Sequence, residues 1–122
     1  MTETVRSYKE LKVWQKGIEV VKLVYAITDK FPKSEMYGLA SQMQRASVSI
    51  PSNIAEGQAR QHTKEFRQFL HTALGSSAEL DTQLIVAVEL GYVRTEDAQS
   101  VFDLLLEIRK MTYVLISRLP SH

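Results

Sequence analysis

Cysteine is absent from all 122 residues, which excludes disulfides and thiolate-bound metals and fits a reducing compartment. Proline occurs at three positions and glycine at five, too few to punctuate a β-rich chain with a turn every ~10 residues. No strand-like alternation of apolar and polar residues lasts more than a few positions. No apolar run reaches the ~20 residues that a membrane-spanning helix needs. The opening MTETVRSYKELK has no apolar core of a signal peptide, so the expectation is a cytoplasmic protein with no membrane partner. Internal repeats and low-complexity segments are absent too. What is present is ordinary: 44% hydrophobic and 24% charged residues, enough for one core in a single domain over residues 1–122.

Caps and periods predict four helices, at about 8–30, 35–59, 64–90 and 96–118. The first opens on a capping-box pattern from Ser7 to Glu10, in which hydroxyl and carboxylate satisfy orphan N–H groups. Leu11, Trp14, Ile18, Val21, Tyr25 and Thr28 then recur at steps of three and four, and Phe31-Pro32 ends the run. The second carries Leu39, Met43, Ala46, Ile50, Ile54 and Gly57. After the break GQARQHTKE, Thr63 is a candidate cap for the third helix, which presents Phe66, Leu70, Ala73, Ser77, Leu80, Leu84 and Val88 and stops at Gly91. Thr95 is a candidate cap for the fourth, with Ala98, Phe102, Leu105, Ile108, Thr112, Leu115 and Leu119 in near-heptad register up to Pro120. Short connections between helices of similar length predict an all-α, antiparallel up-down-up-down four-helix bundle.

A second apolar row runs along helix 1 (Val13, Val20, Val24, Ile27) and another along helix 4 (Leu104, Met111, Val114). A lone bundle buries one face per helix, so this surplus predicts self-association, unless a wide core takes it up. Net charge is only +1, which gives no global attraction for a polyanion. Its distribution is uneven. Residues 1–34 carry seven Lys/Arg against four Asp/Glu, residues 79–107 carry seven acids against Arg94 alone, and residues 108–122 carry three bases and no acid. Such regions can pair within the fold or between subunits; equally, they can be solvated helix faces.

Catalytic chemistry is hard to find. The three histidines are His62 in a loop, His71 beside Leu70, and His122 in the tail. No Glu-x-x-His occurs, and His62-x-x-Glu65 reverses that order and stands alone, so no metal site is expected. No phosphate-binding glycine loop is present, and Ser76-Ser77 lies mid-helix rather than on a nucleophile elbow. The expectation is a protein that is not an enzyme and has no cofactor.

The remaining polar constellation lies in RASVSIPSNIAEGQAR, residues 45–60. Arg45, Ser49, Ser52 or Asn53, Glu56 and Arg60 recur at helical spacing, and Glu56 and Arg60 stand at i,i+4. Two readings stand for this stripe: a polar groove or interface built from Arg45, Ser49, Asn53 and Glu56, or a solvated face with one ion pair. Pro51 in its middle predicts a kink, with the Ser47 carbonyl freed at a cost of about 3 kcal/mol unless it finds a partner. Small Ala46, Ala55 and Gly57 would let neighbouring helices approach there. For nucleic acid, Arg60, Lys64 and Arg67 form one modest basic cluster, and Lys12 and Lys16, with Lys9 and Lys22, form a second along helix 1. Neither has interleaved aromatics for stacking on bases.

The runs RASVSIPSNIAEG, EFRQFLHTALGSSAEL and QLIVAVELGY, with LKVW at 11–14 and YGLASQM at 37–43, resemble the four-helix bundle proteins encoded in 23S rRNA intervening sequences. The resemblance covers roughly residues 7–118. It implies an antiparallel four-helix bundle assembled as a homopentameric ring with a central channel. It also implies kinship with the accessory variability proteins of diversity-generating retroelements, which are basic and work with a reverse transcriptase and nucleic acid. This chain departs from those in its near-neutral charge. Two functions follow as expectations: a self-assembling scaffold that contacts RNA or an RNA-processing partner, or a bundle that binds a small ligand or peptide along the polar stripe.

Overall fold

The computed structural model of the chain describes residues 7–120. Four helices make up the fold: α1 (Lys12–Thr28), α2 (Leu39–Arg60), α3 (Thr63–Glu89) and α4 (Thr95–Ser117). Two 3-10 turns, Tyr8–Glu10 and Lys33–Glu35, precede α1 and α2, and no strand occurs among the described residues. His122 lies outside the described residues. Each helix packs on its neighbours in sequence, and α4 closes onto α1, which makes a four-helix bundle. The α2–α3 seam is the most extensive of the four and the α3–α4 seam the thinnest.

Helix starts differ from the sequence expectation for a local reason at each end. The Ser7 hydroxyl accepts the Lys9 N–H at 3.1 Å, so it caps the 3-10 turn rather than α1. Leu11 is then extended, and α1 starts at Lys12. The turn folds back on the helix: Tyr8 meets Trp14 edge-on with ring centroids 5.4 Å apart, and Gln15 donates to the Lys9 carbonyl at 2.9 Å. Helix α2 likewise begins at Leu39, later than the expected start near residue 35, because the Lys33–Glu35 turn comes first. The Glu35 carboxylate accepts the Leu39 N–H at 3.1 Å and so satisfies one orphan donor of the new helix.

Thr63 and Thr95 prove to be the first helical residues rather than caps. Extended His62 and Arg94 hold the cap positions without side-chain bonds. Carboxylates compensate: Glu65 sits in the first turn of α3, and Glu96 and Asp97 in that of α4, where they favour the helix dipole. The stop at Gly91 is as the sequence suggests. Gly91 adopts φ +77°, its N–H reaches the Val88 carbonyl at 3.0 Å, and the Tyr92 N–H reaches the Ala87 carbonyl at 2.9 Å. This is a Schellman closure, and it delivers Tyr92 onto buried Phe31, with ring centroids 5.3 Å apart.

The core corrects the reading of α1. Val13, Gly17, Val20, Val24 and Thr28 are buried, whereas Tyr25 is exposed and Trp14, Ile18 and Val21 are only partly covered. The row taken as surplus is mostly the core row. Gly17 completes it, a position that a count of large apolar residues passes over. A Cβ on Gly17 would stand 3.2 Å from the Cβ of Pro51, so the glycine is the seat for the proline ring. In α4, Val101 and Leu104 join Ala98, Leu105, Ile108 and Thr112 in the core, while Phe102 is only partly covered. Helices α2 and α3 bury most of the rows expected of them, with Leu39, Phe66 and Val88 only partly covered and Ala40, Ser47, Pro51, Gln83 and Ala87 added.

Candidate functional site

The polar stripe of α2 forms part of its seam with α3. The hydroxyls of Ser49 and Ser76 share a 2.7 Å hydrogen bond between the two helices. The Asn53 amide donates to the Ser49 carbonyl at 2.8 Å and to the Ser49 hydroxyl at 2.9 Å. Below them, a Cβ on Gly57 would come within 2.5 Å of the Phe69 Cβ, so only glycine lets α3 approach this closely. Glu56 and Arg60 pair at 3.1 Å as the i,i+4 spacing suggests. Arg60 also reaches Glu65 at 3.7 Å and lies over the Phe69 ring, 5.3 Å from its centroid. Arg45, Ser52, Glu56 and Arg60 are exposed, and Ser49 and Asn53 are partly buried. The middle of the stripe thus spends its hydrogen bonds on helix packing.

Pro51 stays within α2, which is helical from Leu39 to Arg60. The Ser47 hydroxyl donates to the Gln44 carbonyl at 2.7 Å, a turn upstream of the carbonyl that Pro51 frees. The proline ring is buried against Gly17. Its place in the sequence is therefore explained by the α1–α2 contact.

The basic residues gather at one end of the bundle. Two residues, Gln61 and His62, join the end of α2 to the start of α3, and the Arg67 guanidinium donates to the Pro120 carbonyl just beyond α4. The start of α1 meets the same end of α4 across a cleft of about 310 Å³. Leu11, Met111 and Leu115 give this cleft an apolar floor, and Lys12, Lys110 and Arg118 line it with positive charge. Arg60, Lys64, Arg67 and Lys12 are thus brought to one end. Lys16 belongs elsewhere: its ammonium pairs with Glu107 of α4 at 2.7 Å, and this hydrogen bond raises its pKa. Lys110 and Arg118 are missing from the sequence candidates. The excess of bases over residues 108–122 was the available signal, but a linear count does not show which cations share an end.

At the other end, a second cleft of about 270 Å³ lies where the end of α1 meets the α3–α4 connection, lined by Leu23, Ile27, Lys30, Tyr92 and Asp97. There the Tyr92 hydroxyl donates to Glu35 at 2.9 Å, which raises its pKa, with burial adding to the shift. Arg94 pairs with Asp97 at 3.1 Å, and that hydrogen bond raises its pKa. None of the clefts between α1 and α4, at the α3–α4 connection, or between α3 and α4 is lined by a residue of the α2 stripe. Among the described residues no group of three His, Asp or Glu side chains comes together to hold a metal ion. No helix of the described residues is long and apolar enough to cross a membrane.

No curated protein matches this chain. Among solved structures, the fold is similar to a protein of unknown function from the S23 ribosomal protein family of Bacteroides thetaiotaomicron, at a TM-score of 0.75 and 25% identity. The match covers 85% of this chain and 97% of that one. The family model for 23S rRNA-intervening sequence proteins matches residues 9–114, nearly the whole bundle, and the chain belongs to that family.

Proposed function

We propose that this protein is a non-enzymatic scaffold: an antiparallel up-down-up-down bundle that assembles into a homopentameric ring in the cytoplasm and contacts RNA, or an RNA-processing partner, through its basic end. The observation that carries the reading is the gathering of Lys12, Lys64, Arg67, Lys110 and Arg118 at that end, with no ion-pair partner for any of them among the described residues. Thr28–Gln44 with Gly17–Pro51, and Ser49–Ser76 with Gly57–Phe69, support the antiparallel order, because in each pair of contacts the later residue on one helix meets the earlier residue on the next. Exposed Ile85 and Val86 on α3 with Leu90 at its end, and Tyr113 on α4, support assembly, since such rows on a monomer invite association. Family membership supports an rRNA connection; kinship with the accessory variability proteins of retroelements is part of the proposal and rests on the sequence resemblance alone.

The RNA contact has a direct test. Binding to structured 23S rRNA fragments is expected at low salt and should weaken steeply as salt rises, by roughly one log unit of affinity per log unit of salt for each phosphate neutralised. Replacing Lys12, Lys64, Lys110 and Arg118 by Gln together should abolish it, while Lys16→Gln leaves it unchanged. No binding at low salt ends the RNA reading. Sedimentation equilibrium tests the assembly separately: a monomer at micromolar concentration ends the ring.

A further inference from the structure

The cleft between α3 and α4 belongs neither to the basic end nor to the α2 seam. It encloses about 160 Å³, close to the ~150 Å³ of an engineered cavity that admits one benzene ring. Leu74, Phe102 and Leu105 supply apolar walls, and Asp81 of α3 and Arg109 of α4 both line it. These two side chains carry opposite charges, yet they make no ion pair with each other or with any other described residue. Ser77 also lines the cleft. It makes no hydrogen bond to another described residue, and its hydroxyl is not sealed from the cleft.

We propose that this cleft binds a small zwitterion with a short apolar group, of which a free branched-chain α-amino acid is the simplest form. A lone cation satisfies Asp81 and is repelled by Arg109, and a lone anion meets the reverse problem. A molecule with both charges closes the gap that the two residues leave open. Its ammonium faces Asp81, its carboxylate takes the guanidinium fork of Arg109, and its alkyl group lies against Leu74, Phe102 and Leu105. The Ser77 hydroxyl gains a partner in the same event. Because the charged side chains reach solvent, the affinity is modest, with a dissociation constant on the order of 1 mM. The site is separate from the basic end, and its occupancy does not depend on RNA binding.

The test is an NMR titration of the ¹⁵N-labelled protein, in its native assembly, with L-leucine, isoamylamine and 4-methylpentanoate. Leucine is expected to give saturable shifts confined to residues around Ser77, Asp81, Phe102 and Arg109. The amine without a carboxylate and the acid without an amine should each bind at least about tenfold more weakly. Asp81→Asn and Arg109→Gln should each weaken leucine by a similar factor, and Ser77→Ala by less. The comparison of ligands on the unaltered protein stands even if a variant folds poorly. No saturable shift up to about 20 mM leucine overturns the proposal, as does equal binding by either single-charge analogue.

Discussion

Helix α3 shares one seam with α2 and another with α4, and the two are built on different principles. Against α2 it meets small and polar residues: Gly57 of α2 makes room for Phe69, and Ser49 and Ser76 share a hydrogen bond of 2.7 Å. Against α4 it sets Leu74, Ser77, Ala78 and Asp81 opposite the larger Phe102 and Leu105, and a cleft of about 160 Å³ is left between them. Small residues let backbones come close and fix one register. Large ones hold helices apart, and their shapes do not close the space. One helix can therefore be rigidly placed on one side and carry room for a guest on the other.

The largest expected break in this contrast is Gly57→Ala. The new Cβ would sit 2.5 Å from the Phe69 Cβ, so α2 and α3 must separate. A loss of about 2 kcal/mol in urea unfolding is expected, even though alanine itself favours a helix by about 1 kcal/mol. An unchanged midpoint would mean that the seam is softer than its geometry. Next, a double-mutant cycle of Ser49→Ala and Ser76→Ala should give a coupling of about 1 kcal/mol. Additive single effects would remove the hydrogen bond from the account of the seam. Gly75→Ala should act in the opposite sense to Gly57→Ala. A Cβ there meets nothing within 4 Å, so the substitution should stabilise by about 0.7 kcal/mol, read from the same denaturation curves. Destabilisation at Gly75 would place an unseen contact on that face.

The smallest effect lies away from both seams, at Tyr92. Its hydrogen bond to Glu35 holds the phenol above its ordinary pKa of 10.0. The folded value exceeds the unfolded one, so this contribution is complete below about pH 10 and is lost as pH climbs through the raised folded pKa. Tyr92→Phe should lower the Tm slightly at neutral pH and flatten the alkaline edge of the stability profile. An alkaline edge of unchanged steepness would show that the phenol does not titrate with folding.

The number and order of helices were legible in the sequence, because caps and apolar periods repeat along 15 or more residues in every helix. The face of α1 was not. Leu11, Trp14 and Ile18 are larger than Val13 and Val20, and size dominates a hydrophobic count, but Gly17 decides which side meets Pro51. The start of α1 failed for a related reason: Ser7 signals a turn, and a 3-10 turn takes that signal as readily as an α-helix does. At the candidate basic end, Arg60, Lys64 and Arg67 were found because they are close in sequence. Lys110 and Arg118 join them only through the return of α4, and Lys16 leaves them through Glu107.

Pro51 has one more consequence, for how α2 opens. A proline has no amide hydrogen, so the helical ladder lacks a rung where the Ser47 carbonyl would be met. On one side of that gap Gln44 holds α2 to Thr28 of α1 at 3.0 Å; on the other, Gly57 and Phe69 hold it to α3. The helix is continuous in shape but divided in cooperativity. Native-state hydrogen exchange should therefore resolve two units along α2, the amides of 52–60 and those of 43–50, the second tied to α1 through Gln44 and to α3 through Ser49.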